Sequence, residues 1–179
     1  MFAFVSGNLA LDFAGTVKAR ATTFDDYLGT PADLAEWFVA ADLLDGEPLC
    51  DTAIFDRAVR LREAGYRLAL AAARGEPFAE ADRGTVNELA VGELPRLALQ
   101  SDATLIRTGT PDAALAAVAR AAVEMLGGPD RGLIKECGRP ECTRLYLDSS
   151  RGKSRRWCDM TLCGNRAKSA AFRARQTAD

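Results

Sequence analysis

Residues 137–163 read CGRPECTRLYLDSSRGKSRRWCDMTLC. Four residues separate Cys137 from Cys142, four separate Cys158 from Cys163, and fifteen lie between the pairs. Each close pair can bend as a knuckle that sets two thiolates on one ion, and the connection between pairs can return as a hairpin. Gly138 and Pro140 supply turn chemistry in the first knuckle, and Gly164 follows the last cysteine. The spacing points to zinc held by Cys137, Cys142, Cys158 and Cys163, rather than to two disulfides or four unrelated buried thiols. Four thiolates complete a tetrahedral zinc and leave no position for water or substrate, so the site is structural, not hydrolytic. A module of about 45 residues buries too little to fold unaided, whereas zinc binding of ~10–16 kcal/mol decides whether it folds.

Around and beyond the cysteines the chain is basic. Arg151, Lys153, Arg155 and Arg156 form an arm between the pairs, with Trp157 beside it. Residues 164–175 are Ala-rich and read as a helix carrying Arg166, Lys168, Arg173 and Arg175. Residues 131–179 hold 12 Lys+Arg against 5 Asp+Glu, a charge of +7, which falls to +5 once four thiolates and a divalent ion are counted. Residues 1–130 hold 11 against 20, a charge of −9, so the overall −2 conceals a basic module on an acidic body. An arm and a helix held by one zinc make these eight cations candidates for phosphate contact, with DNA as the expected partner. The competing reading pairs them with the acidic body of the same or another subunit. Trp157 is expected in the finger core rather than as a base-stacking platform, and Asp148 in a turn or ion pair rather than as an acid catalyst.

Gly127 to Gly132 is rich in Gly and Pro and coincides with the charge reversal, which places a module boundary there: residues 1–128 and residues 129–179. Upstream, Leu9, Leu11 and Phe13 alternate with Ala10 and Asp12, a period-two pattern that predicts a strand. Thr30-Pro31-Ala32-Asp33 predicts a capped helix over 31–42. Apolar positions three and four apart predict a long helix over 51–74 stopped by Gly75, and a shorter one follows over 80–91. Segments 96–99 and 104–108 predict an antiparallel hairpin. Thr110-Pro111-Asp112 predicts a last helix running to Gly127. The expected fold class is α+β: a mostly helical N-terminal domain with a few short strands, plus a small C-terminal four-cysteine zinc finger of treble-clef-like type. Its body of about 130 residues is long enough to fold alone.

The chain contains no histidine, which removes the commonest general base and the Ser-His-Asp and Cys-His arrangements. Cys50, the fifth cysteine, has no histidine to activate it and reads as a packing residue. Enzymatic activity built on Asp12 and neighbouring carboxylates is the weakest of the readings, and no catalysis is expected. No apolar run approaches the ~20 residues that span a bilayer and no secretory signal is legible, so the expected location is the cytoplasm, with no membrane partner.

The stretch over residues 137–175 resembles the CGNR zinc-finger family, whose naming motif stands here as Cys163-Gly164-Asn165-Arg166. Tyr146-x-Asp148-x-Ser150, Arg155-Arg156-Trp157-Cys158 and Arg166-x-Lys168 belong to the same likeness. Leu9-Ala10-Leu11-Asp12-Phe13 resembles the start of the ABATE domain that precedes this finger, to which stress-induced transcription regulation is ascribed. The family often carries Asn where this chain has Gly15. The resemblance implies a DNA-binding transcription regulator whose N-terminal domain senses a signal or forms a homodimer. The alternative is a zinc-stabilised protein-interaction module that does not bind DNA directly.

Overall fold

Asn8 starts the first element of the computed structural model, which describes residues 2–139 and 141–169. Its side chain accepts from the backbone N–H groups of Ala10 and Leu11 and begins helix α1, Leu9–Ala14. This overturns the strand expected there. Ala10, Leu11, Asp12, Phe13 and Ala14 are all buried, so every side of the helix meets protein and the sequence shows no 3.6-residue contrast. The accidental alternation of large and small apolar residues imitated a strand.

The chain then forms a two-residue ladder, β1 (Val17–Lys18) against β2 (Asp25–Asp26), with Val17 opposite Asp26 and Lys18 opposite Asp25. Helix α2, Pro31–Ala40, opens on a capping box: Thr30 accepts from the Asp33 N–H and Asp33 accepts in return from the Thr30 N–H. Helix α3, Thr52–Arg74, is capped by Asp51 and ends at Gly75, whose φ of 69° is a left-handed conformation that favours glycine. Helix α4 covers Glu80–Ala90. Strands β3 (Arg96–Leu99) and β4 (Leu105–Thr108) pair antiparallel as expected, and α5, Pro111–Gly127, follows its Thr110 cap. A 3-10 turn over Pro129–Leu133 leads into β5 (Ile134–Glu136), which pairs antiparallel with β6 (Leu145–Leu147). Among the described residues no helix is long and apolar enough to cross a membrane.

Leu11 and Phe13 of α1, Trp37 and Phe38 of α2, Leu61 and Leu68 of α3 and Leu115 and Val118 of α5 form one apolar cluster. Phe13 and Trp37 meet with ring centroids 4.6 Å apart, within the range where aromatic pairs attract beyond simple burial. Ile134, Leu145 and Leu147, from the hairpin that carries the first cysteine pair, lie in the same cluster. The expectation that residues 1–130 fold alone meets this shared core: removing the hairpin would uncover three buried side chains' worth of contacts. Polar ties reinforce the join. Leu147 N–H donates to the Ser6 carbonyl at 2.8 Å and Arg74 forks onto Glu136 at 2.8 Å.

Candidate metal centre and its surroundings

The first knuckle is the tip of the β5–β6 hairpin, with Cys137 leaving β5 and Cys142 just ahead of β6. Gly138 is a requirement of the turn. Its N–H donates to the Arg156 carbonyl at 2.8 Å, and a Cβ there would stand 2.9 Å from that same oxygen. That bond also brings the fifteen-residue connection back onto the first knuckle. The second knuckle enters a π-turn over Met160–Gly164, started by Asp159, which accepts from the Leu162 N–H. Residues 165–169 continue as helix. Knuckle, hairpin and helix start thus converge as a treble-clef-like finger.

The four sulfur atoms lie within 4.8 Å of one another, and all four cysteines are buried. Cys142, Cys158 and Cys163 make an almost equilateral triangle with edges of 3.6, 3.6 and 3.5 Å. A zinc–sulfur tetrahedron with bonds of ~2.3 Å has edges of about 3.8 Å, so the donors stand close to where zinc needs them. Protonation tells the same story. Thiol donors from Cys142 and Cys158 hold Cys137 down at about 2, while that hydrogen bonding, with burial, pushes Cys142 up to about 12 and Cys158 above its usual value. One sulfur ionises at its neighbours' expense, and only a cation lets all four do so. The centre is a zinc site.

Asp148 supports the finger from behind. It is fully buried, accepts from Lys135 Nζ at 2.6 Å, from Ser150 Oγ at 2.5 Å and from the Arg155 N–H at 3.1 Å. Those donors, Lys135 and Ser150 foremost, hold its carboxyl well below the usual carboxylate range. It is an ion-pair and turn residue, as its sequence context implied. Trp157 packs against the cysteine cluster and so belongs to the finger core.

The eight cations divide. Arg151, Lys153, Arg156, Arg166 and Lys168 are exposed, with the Arg156 guanidinium over the Trp157 ring at 5.5 Å. Arg155 is not a surface cation: its guanidinium donates to the carbonyls of Trp157 (2.7 Å), Val5 (3.2 Å) and Cys158, and lies 4.6 Å from the Tyr146 ring centroid. It is half-buried and acts as a brace, with Nε and Nη2 donating to backbone while Nη1 takes no part in these bonds. Arg173 and Arg175 lie outside the described residues.

Sequence reasoning missed Arg144. It is only 4% exposed and ties the finger to the N-terminus by donating to the carbonyls of Ala3 and Gly15, both at 3.0 Å. Its partners are 141 and 129 residues away, and no local pattern signals such a contact. A Cβ at Gly15 would stand 3.0 Å from this guanidinium, so the glycine here makes room for it. The β1–β2 turn also docks on the knuckle, with Ala19 N–H donating to the Cys142 carbonyl at 3.4 Å and Arg20 N–H to Thr143 Oγ1 at 3.0 Å. Asp12 serves as a cap for the N-terminal segment, accepting from Val5 and Ser6 N–H groups; burial raises its carboxyl above the usual value. Burial likewise raises the Cys50 thiol above its usual value, which favours its protonated form.

A helical body whose core extends into a four-cysteine knuckle finger defines a zinc-finger protein. A model of the ABATE family, described as "putative stress-induced transcription regulator", matches residues 7–129, and a model of the CGNR zinc finger matches residues 134–176. The chain belongs to the ABATE family and carries a CGNR zinc finger. No curated protein matches it.

Proposed function

We propose that the chain is a DNA-binding transcription regulator that grips the duplex with the exposed cations around its zinc centre: Arg151, Lys153, Arg156, Arg166 and Lys168. The observation that carries the reading is the pattern of ion pairs. Had the +7 of residues 131–179 served to hold the finger on the acidic body, its cations would pair with body carboxylates. Among the described residues they do not: Lys135 pairs with Asp148 and Arg139 with Glu141, both inside the finger, and the pair across the join, Arg74–Glu136, has its cation on the body. The exposed cations are left for an external polyanion. Mobility shift of duplex DNA at two salt concentrations tests this, with affinity falling by a log–log slope of about −0.9 per neutralised phosphate. Failure to retard DNA at ~50 mM salt overturns it.

A second reading, docking of an acidic protein, is favoured by Met160 and Leu162, which are about half exposed on the second knuckle beside the basic residues. Self-association has its best surface on the β3–β4 hairpin, where Leu97, Leu99 and Leu105 share one exposed face. The reading is of a binder rather than an enzyme, supported by the lack of histidine and by a coordination sphere that four sulfurs close. Thiols reserved for zinc fit a reducing cytoplasm.

A further inference from the structure

Strands β3 and β4 stand apart from the main core. Neither contributes a side chain to the apolar cluster, and every residue of β3 is exposed. A two-stranded hairpin without such packing is marginally stable in water. Its register sets Leu99 opposite Leu105 and puts both on one exposed face with Leu97.

The two edges of this hairpin differ. Residue pairs of an antiparallel ladder alternate between hydrogen-bonded pairs and open ones whose backbone groups point outward. Gln100 N–H donates to the Thr104 carbonyl at 2.8 Å, so Leu99–Leu105 and Leu97–Arg107 are the open pairs. On the β4 edge the outward groups of Arg107 are taken: its N–H donates to Asp45 Oδ2 at 2.7 Å and its carbonyl accepts from the Asp45 N–H at 3.1 Å. On the β3 edge the N–H and C=O of Leu97 and Leu99 have no backbone partner among the described residues. Pro95, which has no N–H, ends this open edge on one side, and the turn closed by Ala103 N–H on the Gln100 carbonyl ends it on the other. An unsealed edge between exposed leucines is a template for another strand.

The open segment is complementary to itself. With a two-fold axis at Ala98, Leu97 of one copy falls opposite the partner's Leu99, and the reverse, so all four edge groups of each copy are paired. Leucine then lies beside leucine, and Arg96 meets the partner's Gln100 rather than a like charge. An axis at Leu97 would instead set Leu99 against the partner's Pro95, which has no N–H to give.

We propose that β3 pairs antiparallel with β3 of a second copy of this chain, making a four-stranded sheet across a two-fold axis. The inference takes further the self-association surface named above, and it does not depend on DNA binding. An edge this short covers less than the ~800 Å² per partner of a standard interface, so the dimer forms and dissociates with concentration.

Sedimentation equilibrium of the zinc-loaded full chain, without DNA, from about 1 to 200 μM is expected to show monomer passing to dimer. Leu97→Pro deletes an outward N–H while leaving the β3–β4 ladder its bonds, whereas Leu97→Val keeps that N–H. The proline variant is expected to dimerise at least about tenfold more weakly than the valine variant, with both retaining zinc and the wild-type melting temperature. Leu105→Ser, on β4, is expected to change dimerisation by less than about threefold. Ala98→Cys, in a Cys50→Ser chain, is expected to form a covalent dimer under oxidised glutathione, because the two-fold sets both Ala98 positions in an open pair with Cα atoms about 4.5 Å apart, within disulfide reach. A monomer at every concentration, a folded proline variant that dimerises like the valine one, a Leu105→Ser loss as large as the proline loss, or no cross-link through Ala98→Cys overturns the proposal. The Leu105→Ser arm separates association through the leucine face from association through the edge, and the cross-link decides even where the proline variant does not fold.

Discussion

The two knuckles share one metal and the same spacing, yet they live in different surroundings. The first sits on a hairpin whose Ile134, Leu145 and Leu147 belong to the main core, and its Cys142 carbonyl and Thr143 hydroxyl accept bonds from the β1–β2 turn. The second projects Met160 and Leu162 to solvent and leads into residues 165–169, where Arg166 and Lys168 are exposed. One half of the zinc centre is therefore built into the core of the whole molecule, and the other half is exposed surface. One ion ties the two together.

The largest test of this contrast is to remove the metal. Chelation, or Cys142→Ser, is expected to cost several kcal/mol out of an apparent zinc contribution of ~10–16 kcal/mol, and to lower the melting temperature of the body as well as the finger. One equivalent of zinc per chain, lost together with a cooperative fall in the melt, supports it. A body melt that ignores chelation would separate the two regions after all. Next comes Leu145→Ala, expected to destabilise the entire fold by about 2–5 kcal/mol, since it empties a site in the common core. Denaturant unfolding followed by Trp fluorescence reports this, because Trp37 lies in the same cluster.

Neighbouring arginines sharpen the comparison on a smaller scale. Arg155→Ala strands the carbonyls of Val5, Trp157 and Cys158, at a cost of about 1–3 kcal/mol of stability. Arg156→Ala, on the exposed side of Trp157, should stay within about 0.5 kcal/mol, yet make the salt dependence of DNA binding shallower by about one unit. Equal stability losses at both positions would contradict the division into brace and surface. Asp148 adds a pH signature. Its folded value is depressed, so its stabilisation is complete above the unfolded value near 3.9 and is lost as pH falls below it towards the folded value. Asp148→Asn is therefore expected to remove part of the loss of stability seen between wild-type melts at about pH 4 and below, and identical acid limbs in the two proteins would refute the assignment.

How much of this was legible in the chain depends on range. Four cysteines at fixed intervals, the Thr30 and Thr110 caps and the Gly75 stop act within a few residues, and each is present in the fold where its local chemistry placed it. Helix α1 was misread because burial on all sides erased the polar face that announces a helix. That Arg155 braces three backbone carbonyls was not legible, because composition counts a charge without saying what its donors touch. Sequence alone determined the zinc ligands, the helical body and the polarity of charge, since these rest on residue type and short spacing. Only the tertiary structure decided that the body and the first knuckle share a core, that Arg144 is a buried tie, and that the exposed cations have no carboxylate salt bridges to the body among the described residues. Those facts depend on which segments far apart in the chain meet, as Arg74 meets Glu136 62 residues on and Arg144 meets Ala3 141 residues back, which a linear pattern does not encode.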